Sequence, residues 1–171
     1  MTAYIALVRA VNVGGTGKLP MTELKAMCEA QGFEAVKTYI ASGNVVFRSP
    51  KSEAQAKAAL EAALEAYAGK PVGASVRTAE EMRQVLAANP FPKAPPNRVV
   101  AIFLDAAPPA GALDEAKGVA NEEMALGKRE IYVHYGDGMA HSKLRIPAAS
   151  AGTARNINTI GKLAEMAAAL D

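Results

Sequence analysis

Apolar positions follow two rhythms along the first half of the chain, and each change of rhythm marks an element. Residues 3–9, AYIALVR, are almost wholly apolar. A short continuous run of this kind predicts a central strand covered on at least one face. After a glycine-rich stretch the period changes. Pro20 suits a first helical position, Leu24, Met27 and Cys28 recur at i, i+3 and i+4, and Gly32 stops the pattern. In AVKTYIASGNVVFRS, two β-rich runs flank Ser42-Gly43-Asn44, which predicts a hairpin. In SEAQAKAALEAALEAYAG, Ser52 is a good N-cap and Leu60, Leu64 and Tyr67 form a stripe at i, i+4 and i+7. Glu53 and Lys57 add an i, i+4 pair, Gly69 closes the helix, and PVGASVRT supplies another strand.

The order over residues 2–78 is therefore β-α-β-β-α-β, a split βαβ or ferredoxin-like pattern. Both helices are expected on one face of an antiparallel sheet. The second half opens with a short helix, AEEMRQVLAA, and a proline-rich connector over 89–97, the best linker in the chain. RVVAIFLD predicts a strand, 110–126 reads as weakly helical, and EIYVHYGDGMAHSKL predicts a hairpin turning at Asp137-Gly138. TARNINTIGKLAEMAAAL predicts a terminal helix with Thr153 as N-cap. The expected fold is α+β, with two related ferredoxin-like subdomains over 1–78 and 79–171. No sequence repeat supports the duplication directly.

Composition removes several classes of function. The 171 residues are half hydrophobic and carry a net charge of only +2. A duplex DNA binder is strongly basic, so a nucleic-acid role here needs a local patch. The single Cys28 rules out an internal disulfide, and one thiol with two histidines argues against a Cys/His metal site. No metal or cofactor is expected. No apolar run approaches the ~18 residues of a membrane span. The N-terminal stretch lacks a basic n-region and is interrupted by Arg9, so a signal peptide is not expected and the cytoplasm is the expected location.

The segment RAVNVGGTGKLPM, Arg9 to Met21, invites comparison with phosphate-binding loops. A Walker A loop aligned on Gly17-Lys18 needs glycine at Asn12 and a hydroxyl at Leu19, so it fails twice. A dinucleotide motif starting at Gly15 needs glycine at Pro20 and fails as well. What survives is a glycine-rich turn before a helix, with Lys18 to complete an anion site. The competing reading is that these glycines only allow positive φ between strand and helix.

A second polar group lies near the C-terminus. In one continuous helix Arg155, Thr159 and Lys162 would share a face at i, i+4 and i+7, with Ile157, Ile160 and Ala164 on another. Thr153 and Asn156 would sit at the helix start, with Lys143 just upstream. Arg155 could hold a phosphate or carboxylate as a fork, with Lys143 or Lys162 as point charges. An ordinary solvated helix face is the alternative. Ser42-Gly43-Asn44 could present a hydroxyl and an amide to a ligand, or serve only as turn chemistry. Cys28 shares a stripe with Leu24 and reads as a buried, inert thiol. No Ser/His/Asp set or carboxylate pair stands out, so an enzyme is the least supported reading.

Together ALVRAVNVGGTGKLPMTEL, TYIASGNVVF, SKL and TARNINTIGKLAEM resemble the bacterial domain-of-unknown-function family numbered 1697. The resemblance runs over nearly the whole chain. It departs at Ala10, where the family usually has glycine, and at His141, where an arginine often precedes the Ser-Lys pair. It implies a small α+β fold of two related parts and no particular activity. It also implies a set of signature polar positions: Arg9, Asn12, Lys18, Ser42, Asn44, Ser142, Lys143, Thr153, Arg155, Asn156, Thr159 and Lys162.

The functional expectation is an anion-binding domain for a phosphorylated small molecule or a short single-stranded nucleic acid. Lys18, Lys143, Arg155 and Lys162 would supply charge, and Asn12, Ser42, Asn44, Asn156 and Thr159 oriented hydrogen bonds. The small molecule is favoured, because RNA-binding modules of this shape stack bases on sheet aromatics. Here Tyr39 and Phe47 are the only aromatic strand residues near the loop. The runner-up is a protein-interaction or self-association module working through a sheet face or edge, as a monomer or homodimer.

Overall fold

Strand β1, Thr2–Val8, is the hub of the first sheet, and its sequence explains why. Residues 3–8 are all buried, so an apolar side chain is needed at every position rather than at alternate ones. A computed structural model describes residues 1–9 and 19–170. The chain divides into two compact units: Met1–Arg83 with Lys162–Asp171, and Gln84–Gly161.

In the first unit β1 is followed by helix α1 (Met21–Ala30), β2 (Glu34–Tyr39), β3 (Asn44–Ser49), helix α2 (Glu53–Ala68), β4 (Ala74–Thr78) and the start of helix α3 (Ala79–Ala87). The strands form one antiparallel sheet in the order β2-β3-β1-β4. Tyr4, Ala6 and Val8 of β1, Val45 and Phe47 of β3, and Ala74 and Val76 of β4 form one core with Leu24 and Cys28 of α1 and Ala56, Leu60 and Leu64 of α2. Phe33 stacks on Phe47 with ring centroids 4.1 Å apart. Burial pushes the Cys28 thiol up to about 12, as suits an inert core residue.

The predicted caps of α2 are present. Ser52 and Gln55 form a reciprocal capping box, and Gly69 takes a left-handed φ of 74° at the far end. Such a cap is worth about 1 kcal/mol. Tyr67, expected on the buried stripe, is instead exposed, and Ala56 occupies the buried position one turn before Leu60. At the junction of β4 and α3, Thr78 and Glu81 form a second reciprocal cap, each accepting the other's backbone N–H. No loop separates strand from helix there.

The second unit holds β5 (Val99–Phe103), β6 (Glu123–Leu126), β7 (Glu130–His134), β8 (Thr153–Asn156) and the start of helix α4 (Ile157–Ala168). Its antiparallel order is β6-β7-β5-β8, the same permutation as in the first unit. The connections differ from expectation in three places. Residues 110–126 hold only a 3-10 turn at Ala112–Glu115 and then β6, not a helix. The hairpin joins β6 to β7, with Gly127 N donating to Glu130 O at 2.7 Å, rather than turning at Asp137-Gly138. Gly138 does turn the chain at φ +91°, but the next strand, β8, begins only at Thr153. The terminal helix starts three residues later than a Thr153 N-cap predicts, and Thr153–Asn156 forms β8.

Val100, Ile102, Ile131, Val133 and Ile146 make the core on one face of this sheet. Leu104, Leu113, Ala116, Tyr135, Leu144, Ala148 and Ala149 cover them from irregular segments. Among the described residues no helix is long and apolar enough to cross a membrane.

Candidate functional site

The C-terminal end of β1 is clasped from both sides. Val8 N donates to Gly43 O at 2.8 Å, and Arg9 N donates to Gly73 O at 2.9 Å. Gly43 belongs to the turn before β3 and Gly73 lies just before β4, the two neighbours of β1. Arg9 is exposed between them.

The β2–β3 turn is pinned from beneath. Asn44 has no solvent exposure, and its side-chain amide donates to Tyr39 O at 3.0 Å and Ser42 Oγ at 2.8 Å. Asparagine suits this role because one side chain supplies two donors. Gly43 sits at φ +88°, and Ile40 at φ +49°. A β-branched residue in the left-handed region is strained, and Ile40 is also 52% exposed.

On the β4 side a carboxylate joins the clasp. Glu61 of α2 follows the buried Leu60, which places it at the edge of the helix facing the start of β4. Its Oε2 accepts the Ala74 N–H at 3.0 Å and the Lys57 ammonium at 2.7 Å. A Cβ placed on Gly73 would lie 3.8 Å from Glu61 Oε2 and 4.0 Å from Arg9 Cδ, so the two charged side chains flank one point. Glu61 was not among the residues expected from sequence. A carboxylate four positions after a lysine reads as a surface pair, and only the approach of β4 distinguishes it.

Arg9, Ser42 and Asn44 thus come together at one end of the first sheet. Asn12 and Lys18 lie outside the described residues. In the second unit Ser142 is occupied structurally: its hydroxyl donates to Glu122 Oε2 at 2.6 Å and accepts from Leu144 N at 3.2 Å. Glu122 Oε1 also accepts the Ala120 N–H at 2.7 Å. That backbone donor, and then the Ser142 hydroxyl, hold the Glu122 carboxyl below its ordinary value. Glu122 is the second residue missed from sequence. Lys143 is exposed, while its backbone carbonyl packs against Gly118.

Arg155 lies in β8, not on α4, so it shares no helix face with Thr159 and Lys162. It pairs with Ala101, whereas Val100 and Ile102 belong to the core that Leu144 covers. Strand alternation therefore puts Arg155 on the face away from Leu144. Burial lowers its guanidinium to about 10, still far above neutral pH, so its charge is kept. Thr153 is a buried strand residue, and the capping role passes to Asn156, whose Oδ1 accepts the Thr159 N–H at 2.9 Å. The Lys162 ammonium lies 3.9 Å from Glu165. Among the described residues no cluster of three or more His, Cys, Asp or Glu is placed to hold a metal ion.

Residues 1–132 match the family described as "Protein of unknown function (DUF1697)". The chain belongs to this family. A solved structure similar to this DUF1697 chain is that of the conserved bacterial protein SP0830 from Streptococcus pneumoniae. The two are 27% identical and superpose with a TM-score of 0.78, over 97% of this chain and 98% of that one. No curated protein matches the chain. The shared architecture is thus that of an uncharacterised DUF1697 domain, and the chemistry has to be argued from side chains.

Proposed function

We propose that this DUF1697 domain binds an anionic small molecule, a phosphate ester, at the C-terminal end of β1. Arg9 serves as a guanidinium fork for the phosphate and the Ser42 hydroxyl is a neighbouring contact. The observation that carries this reading is the clasp. The backbone N–H groups of Val8 and of Arg9 itself are hydrogen-bonded to the residues that lead into the two adjacent strands, and a buried amide orients Ser42. Preorganised polar groups on a rigid sheet end are what small-ligand recognition requires.

The sheet edge weighs against the self-association reading. Edge strand β2 is bulged between Glu34 and Lys37, and both of those charged residues are exposed. Bulges and charges are devices that keep edges from pairing with another chain.

The test is a thermal-shift panel of inorganic phosphate, phosphate esters, mononucleotides and short single-stranded oligomers. Three proteins are compared: wild type, Arg9→Gln, and the Lys143→Ala/Arg155→Ala double variant. A ligand at ~100 times its Kd stabilises by about 2.7 kcal/mol, a rise of a few degrees in Tm. The expected result is a rise with phosphate esters in wild type and the double variant, absent in Arg9→Gln. A rise lost only in the double variant moves the site to the second unit. A rise confined to oligomers replaces the small molecule with nucleic acid.

A further inference from the structure

The β2–β3 strand pair carries two cations on one face, and neither has a counter-charge among the described residues. Glu34 pairs with Arg48, Lys37 with Val46 and Tyr39 with Asn44. Residues opposite one another share a face of the sheet. Arg48, Lys37, Tyr39 and Glu34 therefore lie on the side away from Val36, Val45 and Phe47, which line the helix-covered core. Arg48 is partly buried, and its Nε is wholly buried with no hydrogen-bond partner among the described residues. The rest of its guanidinium, the exposed Lys37 ammonium and the Tyr39 hydroxyl have none among them either. Glu34 stands directly opposite Arg48 without forming an ion pair with it.

A buried charged donor left unpaired is costly, and folds keep one where water, an ion or a ligand completes it. Nε–H and the neighbouring terminal N–H form one fork of a guanidinium, the arrangement that grips two oxygens of a phosphate. Lys37 stands diagonally from Arg48 across the strand pair, at a Cβ separation of about 7 Å. Side chains of this length converge on one group from that spacing, and their like charges repel unless a doubly charged anion lies between them. Glu34 is exposed, so solvent screens its repulsion of such an anion. We infer that this face is a second anion site, where Arg48 grips a dianionic phosphate group, Lys37 balances its other charge and Tyr39 offers a hydroxyl. The site goes beyond the clasp around Arg9 and stands without it, since neither cation takes part there.

The experiment is an NMR titration of the isotope-labelled protein with methyl phosphate at about pH 7, where the ester is doubly charged, and separately with acetate at matched ionic strength. It follows the arginine Nε–H signals, with that of Arg48 identified by its loss in Arg48→Met. The Arg48 signal is expected to move saturably with methyl phosphate, and about tenfold more acetate should be needed for the same shift. Lys37→Ala should weaken methyl phosphate binding about tenfold. In buffer without either anion, Arg48→Met should unfold at the wild-type temperature or above it, because the cation has no partner to lose. An Arg48 signal that answers equally to both anions, or to neither, overturns the site. A lower unfolding temperature for Arg48→Met, matched by an equal loss in Glu34→Gln, shows that those two residues pair with each other and overturns it as well. Arg9→Gln should leave the Arg48 response unchanged. A response lost in Arg9→Gln returns the anion to the clasp and removes the second site, whereas a response kept there stands even if the clasp binds nothing.

Discussion

The Asn44 side-chain amide donates to Ser42 Oγ at 2.8 Å while Asn44 itself is wholly buried. One residue therefore fixes both the shape of the β2–β3 turn and the direction of a surface hydroxyl. Asn44→Ala leaves the Tyr39 carbonyl without this donor and Ser42 without its anchor. Leaving buried polar groups unpaired costs about 1–3 kcal/mol. Urea unfolding is expected to show that loss. Asn44→Asp should cost at least as much, because it swaps two donors for a buried charge.

Ile40 sits at φ +49° and is exposed, so its backbone strain is not offset by core packing. The left-handed conformation costs about 1–2 kcal/mol for an ordinary residue and less for asparagine or glycine. Ile40→Asn is expected to raise the midpoint of chemical unfolding, with a gain of about 1 kcal/mol. An unchanged or lowered midpoint would show that the Ile40 side chain makes a compensating contact.

Gly118 and Gly69 share a left-handed backbone, at φ +72° and +74°, but not their surroundings. A Cβ on Gly118 would lie 2.2 Å from the Lys143 carbonyl oxygen, whereas nothing lies within 4 Å of one on Gly69. Gly69→Ala is expected to cost about 1 kcal/mol, the backbone term alone. Gly118→Ala adds a clash with backbone that cannot step aside, for a total of about 3 kcal/mol. Thermal unfolding of the two variants separates the contributions.

Glu122 sets an acid limit on the second unit. Its folded carboxyl is held below the ordinary 4.5, chiefly by the Ala120 N–H and then by Ser142. The unfolded chain therefore takes up this proton at a pH where the folded chain does not. The stabilisation is complete above the ordinary value and is lost as pH falls through the lower folded one. Unfolding free energy followed from about pH 5 to about pH 3 should fall more steeply for wild type than for Glu122→Gln. Ser142→Ala should lie between them, because it removes the second of the two contacts.

Much of the first unit was legible because its elements announce themselves. β1 is a continuous apolar run, α2 carries a serine cap and a terminal glycine, and the Ser42–Asn44 turn separates two β-rich runs. The second unit hid its elements for physical reasons. EMAL favours helix by composition, yet pairing with β7 draws it into β6. TARN runs into α4 without a loop, so a helical period extends back over it although its backbone is a strand. Of the site, Arg9, Ser42 and Asn44 were visible as polar residues at a strand end and a turn. Glu61 and Glu122 were not, because each acts on a backbone N–H brought to it by tertiary folding: Ala74 in one case, Ala120 in the other.

The core of the second sheet is covered by two long connections instead of helices, and they are stitched together at few points. Lys117 and Arg145 exchange backbone hydrogen bonds, Gly118 abuts Lys143, Glu122 holds Ser142, and the Asn121 side-chain amide donates to Asp137. A helix spreads its contribution over a repeating stripe, so substitutions erode it gradually. A cover fastened at a few places tolerates drift along most of its length and fails abruptly at those places. Saturation mutagenesis across residues 105–152 should therefore trace a flat plain broken by a few deep wells, at Gly118, Glu122 and Ser142 and at the apolar residues seated on the sheet.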